Sequence, residues 1–196
     1  MGGGELINLA LKFINDDMLE KVEFFEDKTY TKQDNDEATM EFKRLFNYYL
    51  KYEYREKILD KIVAHFSSDE EIFTNLYMSE MELKQMHENK MILGSHSVSH
   101  AVFSKLSQKE QVREIKHSFG FLQDILGFLY VKCFCYPYGG FHTFTDFTEQ
   151  ALNAEGVAFS FNVESKDIKL ENIINRPQAL PRYDCNEFRF GKSSLG

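Results

Sequence analysis

The stretch that decides the fold reads Met91-Ile92-Leu93-Gly94-Ser95-His96-Ser97-Val98-Ser99-His100. Its opening apolar run ends on a glycine and predicts a short buried strand at Met91 to Gly94. Two histidines follow at once, four residues apart. On one side of a helical turn, residues at that spacing meet, and both rings can then share one cation. The place just past the C-terminal end of a parallel strand is where α/β folds collect their ligands. Taken alone, H-x-x-x-H is a weak signal, and two surface or capping histidines explain it better.

Downstream the pattern alternates. Ser107-Gln108-Lys109-Glu110 is a capping box. It opens a long helix with Val112, Ile115, Phe119, Leu122 and Leu126 on one side and Gly127 just past its end. Tyr130 to Tyr136 reads as a strand, Thr145 to Glu155 as a helix ended by Gly156, and Val157 to Phe161 as a strand. Leu180 to Tyr183 is a candidate last strand. Strand, helix, strand, helix, strand implies parallel strands with crossover helices, hence an α/β fold. A barrel and an open doubly wound sheet both satisfy that order, and the visible strands are too few to close a barrel.

Two further elements end strands in this frame. Cys135-Tyr136-Pro137-Tyr138-Gly139-Gly140 makes a fixed, tight loop whose backbone N–H groups suit an oxyanion, or an ordinary turn. Ala179-Leu180-Pro181-Arg182-Tyr183-Asp184 places Arg182 where it can orient a carboxylate, or simply at the surface. Cys133 and Cys135 alternate onto one face and read as two small buried core residues. With Cys185 they make three cysteines, too few and too odd for a disulfide framework.

Upstream, everything reads helical. Leu6, Ala10, Phe13 and Ile14 recur at helical spacing, as do Phe42, Leu45, Phe46 and Tyr49, then Ile58, Leu59, Ile62, Val63 and Phe66. Lys28 to Glu37 is polar and predicts an exposed loop. Asp69, Glu70 and Glu71 open a short helix, and a capping box at Ser79 to Glu82 opens another that runs to Glu88, with Asn89 closing it. This gives a helical region over 1–90 and an α/β region over 91–196. His65 and His87 read as surface or interface residues, and His142 as an exposed loop residue. Tyr48, Tyr49, Tyr52 and Tyr54 read as core and helix face, or as a stacking surface for a sugar or a partner.

The formal charge of −8 disfavours phosphate backbones and anionic lipid. No apolar run is long enough to span a bilayer. The N-terminus carries no signal-peptide pattern, so the expected location is cytoplasmic.

The order Gly-Ser-His-Ser-Val-Ser-His, then a helix opening on Leu-Ser-Gln-Lys-Glu-Gln, then Tyr-Pro-Tyr-Gly, then Leu-Pro-Arg resembles the NodB-type polysaccharide deacetylases over about half the chain. The resemblance implies a distorted (β/α) barrel, incomplete here, with residues 1–90 as a helical insertion. It implies hydrolysis of N-acetyl groups on a surface glycan or its precursor. A divalent metal, zinc by the family's habit, is held by an Asp and two His, which match His96 and His100. The Tyr138 backbone N–H matches the oxyanion donor, and Arg182 an arginine that orients the catalytic base.

The family's Thr-Phe-Asp-Asp-Gly motif does not occur. Asp16-Asp17, the only adjacent aspartates, read as the C-terminal region of a helix. The late histidine that serves as general acid is also missing after Arg182. The resemblance therefore leads us to expect impaired activity from this chain alone, unless a missing N-terminal segment or a partner chain supplies the carboxylates. The rival expectation is a non-catalytic carbohydrate-binding or assembly module.

Overall fold

The computed structural model describes residues 3–20, 29–30 and 36–189. They form two compact units that divide between Ser79 and Glu80. Among the described residues no helix is long and apolar enough to cross a membrane.

The first unit is helical. Helix α1 (Gly3–Leu11) is followed by a 3-10 turn at Asp16–Met18, then α2 (Glu37–Arg44), a π-turn at Leu45–Tyr49, α3 (Tyr52–Phe66) and α4 (Asp69–Leu76). The caps follow the sequence: Asp36 accepts from the Thr39 amide, and Ser68 from the Glu71 amide. Ala10, Phe46, Leu50, Ile58 and Ile62 close the core. Their spacing on α3 is the helical i, i+4 repeat. Asp16 and Asp17 are exposed in the 3-10 turn, with no strand leading into them. Of the loop expected at 28–37, residues 28 and 31–35 lie outside the described residues. Thr29 is buried, not exposed, and its hydroxyl and carbonyl accept from the Arg44 guanidinium. Tyr48 is core, at 2 % exposure, so it belongs to no stacking surface.

The second unit alternates as expected, with shorter strands. It runs α5 (Glu80–Glu88), α6 (Gln108–Leu126), β1 (Cys133–Cys135), α7 (Asp146–Ala154), β2 (Phe159–Phe161) and α8 (Leu170–Asn175). Strands β1 and β2 pair in parallel, Phe134 opposite Ser160. Single parallel bridges extend the ladder on both sides, Ser95 to Phe134 and Leu180 to Phe161. Each parallel step is joined by a helix: α6 between Ser95 and β1, α7 between β1 and β2, and α8 before Leu180. The core lies between this ladder and α6 and α7, built from Phe103, Ile115, Phe119, Phe134, Tyr136 and Leu152. Helix α6 carries the capping box at Ser107 and Glu110 and ends on Gly127 at φ 76°.

Three expectations need correction. Met91 to Gly94 is not a strand. Lys90, not Asn89, takes the left-handed position that ends α5, and the Met91 amide turns back to the Met86 carbonyl. Met91 and Ile92 then face solvent, and pairing with β1 is delayed to Ser95. Cys133 and Cys135 do share a face, but it is the half-buried one, and Phe134 between them fills the core. His87 is not a surface residue. At 6 % exposure it stacks on Tyr130 and meets the edge of Phe128, with its Nε2 buried and unpaired.

Candidate metal centre

The loop after Ser95 brings the two histidine rings together without a helix. Ser97 and His100 both have left-handed backbones, at φ 70° and 53°. Such conformations disfavour non-glycine residues and persist only where the surroundings hold them. This corrects the helical-turn expectation: two reversals of the backbone produce the convergence. The ring centroids of His96 and His100 stand 4.8 Å apart at 73°. Two imidazoles sharing one tetrahedral ion at metal–nitrogen distances of about 2 Å have ring centres about 5 Å apart.

The tautomer of His96 is set by its surroundings. Its Nδ1 lies 2.7 Å from the Cys135 carbonyl oxygen. A carbonyl can only accept, so Nδ1 carries a proton, and in the neutral ring Nε2 holds the lone pair. This arrangement fixes a ligating histidine's ring orientation in many metal sites. In that tautomer Nε2 is the nitrogen left to ligate.

Tyr138 comes from the other loop. Its ring meets His100 edge to face at 4.8 Å. Tyr138 and Gly139 both have positive φ, 63° and 70°. Pro137 fixes the entry to this turn, and the Gly139 amide folds back to the Pro137 carbonyl at 2.7 Å. A side chain at Gly139 would run into Val163, so glycine is required both for the φ and for the close approach.

Arg182 reaches the same strand end from the last bridge. Its guanidinium pairs with Asp184 and contacts the Cys135 thiol, while Nε stays buried without a partner. Burial pushes the Cys135 thiol above its ordinary range, and Arg182 offsets only part of that. Burial raises the Cys133 thiol too. Both thiols are protonated at neutral pH and are poor metal ligands in that form. His142 is half-buried rather than exposed, its ring packed on Gly140. Among the described residues no group of three or more His, Cys, Asp or Glu stands ready to hold a metal.

One residue of the site escaped sequence reasoning. Glu114, 7 % exposed on α6, accepts the Val98 and Ser99 amides at 2.9 Å each with a single carboxylate oxygen. The one available signal was a Glu inside the apolar stripe of α6, next to Ile115 and one turn before Ser118.

Comparison with known proteins bears on the whole arrangement. The family described as polysaccharide deacetylase matches residues 59–159. No curated protein matches. Among solved structures, the Streptococcus pyogenes deacetylase PplD in complex with acetate is similar at TM-score 0.50 and 20% identity, over 58% of this chain and 47% of that one. A polysaccharide deacetylase from Bacillus cereus is similar at TM-score 0.48 and 15% identity, over 66% of this chain and 43% of that one. The chain thus spans less than half the length of either solved protein. The first likeness supports the α/β fold.

Proposed function

This chain belongs to the polysaccharide deacetylase family, and we propose that His96 and His100 hold a divalent cation, zinc by the nitrogen character of the pair, for hydrolysis of N-acetyl groups on a surface glycan or its precursor. The observation that carries this reading is the spacing of the two rings together with the commitment of His96 Nδ1 to the Cys135 carbonyl. In the same reading residues 91–196 are part of a distorted, incomplete (β/α) barrel, and residues 1–90 are a helical insertion ahead of it.

When bound, the cation would polarise the acetyl carbonyl and lower the pKa of an attacking water. The chain's own residues do the rest. His96 and His100 supply two imidazole nitrogens. In this reading the Tyr138 backbone N–H, in the turn whose ring meets His100, takes the part of the donor to the oxygen on which negative charge develops. Arg182 has one buried donor, Nε, left to orient a carboxylate beyond Asp184.

Among the described residues no third His, Cys, Asp or Glu joins the pair to hold a metal, and in this reading the general base is missing as well. Lack of the base costs about 10²–10⁴-fold in rate. We therefore assign the chain by itself weak activity, restored when a carboxylate-bearing segment or partner chain joins the site. The missing third ligand also favours a second reading, a non-catalytic glycan-binding or assembly module.

Zinc calorimetry separates the two. The parent chain is expected to take up one zinc, and His96→Ala to lose that uptake. Absence of uptake by the parent, or uptake indifferent to His96→Ala, sinks the cation reading. Acetate release from N-acetylglucosamine oligomers is expected to be far slower than from PplD assayed beside it. A rate equal to PplD's would show that the base lies within this chain.

A further inference from the structure

Helix α6 carries a stripe of buried polar side chains, one helical turn apart, two of which tie it to the histidine loop. Gln111, Glu114 and Ser118 are all under 8 % exposed. They lie along the edge of an otherwise apolar face carrying Ile115, Phe119 and Leu122. Each serves a different segment. Gln111 donates to the Leu106 carbonyl and accepts from the Thr148 hydroxyl. Ser118 accepts from Ser95 at 2.6 Å and donates to the Ile115 carbonyl. Ser95 in turn accepts the Ser97 amide. Glu114 takes the Val98 and Ser99 amides.

A buried carboxylate is costly unless hydrogen bonds compensate it. Glu114 finds its two donors at the crest of the loop, between the strained backbones of Ser97 and His100. Holding those amides on a single oxygen fixes the 97–98 and 98–99 peptide planes, the segment that joins the two histidines, while Ser97 itself accepts the His100 amide. The downstream end is already anchored by Val102 and Phe103 in the core, and the upstream end by the bridge at Ser95. The crest is the one stretch of the loop that depends on Glu114.

We infer that Glu114 is a positioning residue: its carboxylate, acting through the amides of Val98 and Ser99, holds the His96 and His100 rings at the separation a shared cation requires. The inference rests on the cation reading above and adds the device that sets its geometry. Its carboxylate is engaged by backbone amides, so Glu114 acts through the loop and not as a ligand.

Cobalt(II) tests it, because its visible bands report ligand geometry independently of turnover. Cobalt affinity and spectrum are measured for the parent, Glu114→Ala, Glu114→Gln and Gln111→Ala, well below each melting temperature. Removing an outer-shell support of metal ligands typically costs about 10–100-fold in affinity, and a loss in that range, with altered bands, is expected for Glu114→Ala. Glu114→Gln keeps an acceptor without the charge, so a several-fold loss is expected. It also decides the matter if Glu114→Ala fails to fold. Gln111→Ala, whose partners lie off the histidine loop, is expected to melt earlier yet bind cobalt as the parent does.

Parent-like affinity and spectrum in Glu114→Gln overturn the inference, and so does an equal loss in Gln111→Ala. If the parent takes up no cobalt, the cation reading fails. Glu114 is then judged by amide exchange at Val98 and Ser99, which should accelerate in Glu114→Gln. Unchanged protection there overturns the positioning role.

Discussion

The two compact units bury different chemistry. Among the described residues the helical unit buries one polar side chain, Thr29, around an aliphatic and aromatic core, whereas the unit after Ser79 buries ten. Apolar contacts are non-directional, so they hold helices together without dictating the path of a loop. Hydrogen bonds are directional, and a buried one left unmade costs more than a made one contributes. Four of the second unit's buried polar groups serve segments that lead to the site. Ser118 and Glu114 serve the histidine loop, and Gln178 and Asn162 the last bridge before Arg182. Left-handed non-glycine backbones gather there too, at Ser97, His100 and Tyr138. Scaffold and site differ in how much of the interior is committed to orientation.

The contrast is most open to attack in the helical unit. Leu50 is fully buried in an apolar cluster with Ala10, Phe46, Ile58 and Ile62. Leu50→Ala should cost about 2–5 kcal/mol through transfer and cavity terms. Hydrogen exchange should show protection lost over α1 to α3 and retained in α6. If α6 amides lose protection to the same extent, the two cores unfold as one, and the distinction between them is only compositional.

A second substitution probes the polar core. Gln178 accepts from Ser160, and its amide donates to the Val157 carbonyl at 2.7 Å and to Asn153 at 2.9 Å. Gln178→Ala strands these partners inside the protein. The expected cost is about 1–3 kcal/mol, which lowers the melting temperature by about 2–4 °C per kcal/mol in a chain of this size. A neutral outcome would mean that water replaces the side chain, and that the network orients nothing.

Sequence period was enough for the elements whose signals are local. The capping box at Ser107, the glycine end of α6 and the α6–β1–α7–β2 order all follow from spacing and turn chemistry. Features set by distant partners were not legible. Met91 to Gly94 has the composition of a strand, yet the partner it needs meets only Ser95. His87 is polar in a short amphipathic helix, and only the fold brings Phe128 and Tyr130 onto it. The histidines of the site were readable because their type and spacing state the chemistry. Glu114 was not, since a carboxylate on a helix is usually solvated, and nothing in the local pattern tells that two amides sixteen and fifteen residues upstream will reach it.

The smallest expected effect contrasts a solvated carboxylate on the same helix. Glu110 accepts from the Ser107 hydroxyl and amide, and these bonds hold its carboxyl below the ordinary range. A depressed folded value stabilises the protein above the unfolded value and is lost as the pH falls through the folded one. The contribution is therefore full at neutral pH and fades below about pH 4. Glu110 faces water, so screening confines it to about a few tenths of a kcal/mol. Glu110→Gln should flatten that part of the acid limb in thermal melts between pH 3 and 6 by about that amount, with cobalt affinity untouched at neutral pH. Glu114→Gln, four residues further on, should instead cost several-fold in cobalt affinity. Should Glu110→Gln weaken cobalt binding as strongly as Glu114→Gln, the start of α6 as a whole would be responsible, and burial of the carboxylate would not be what separates the two residues.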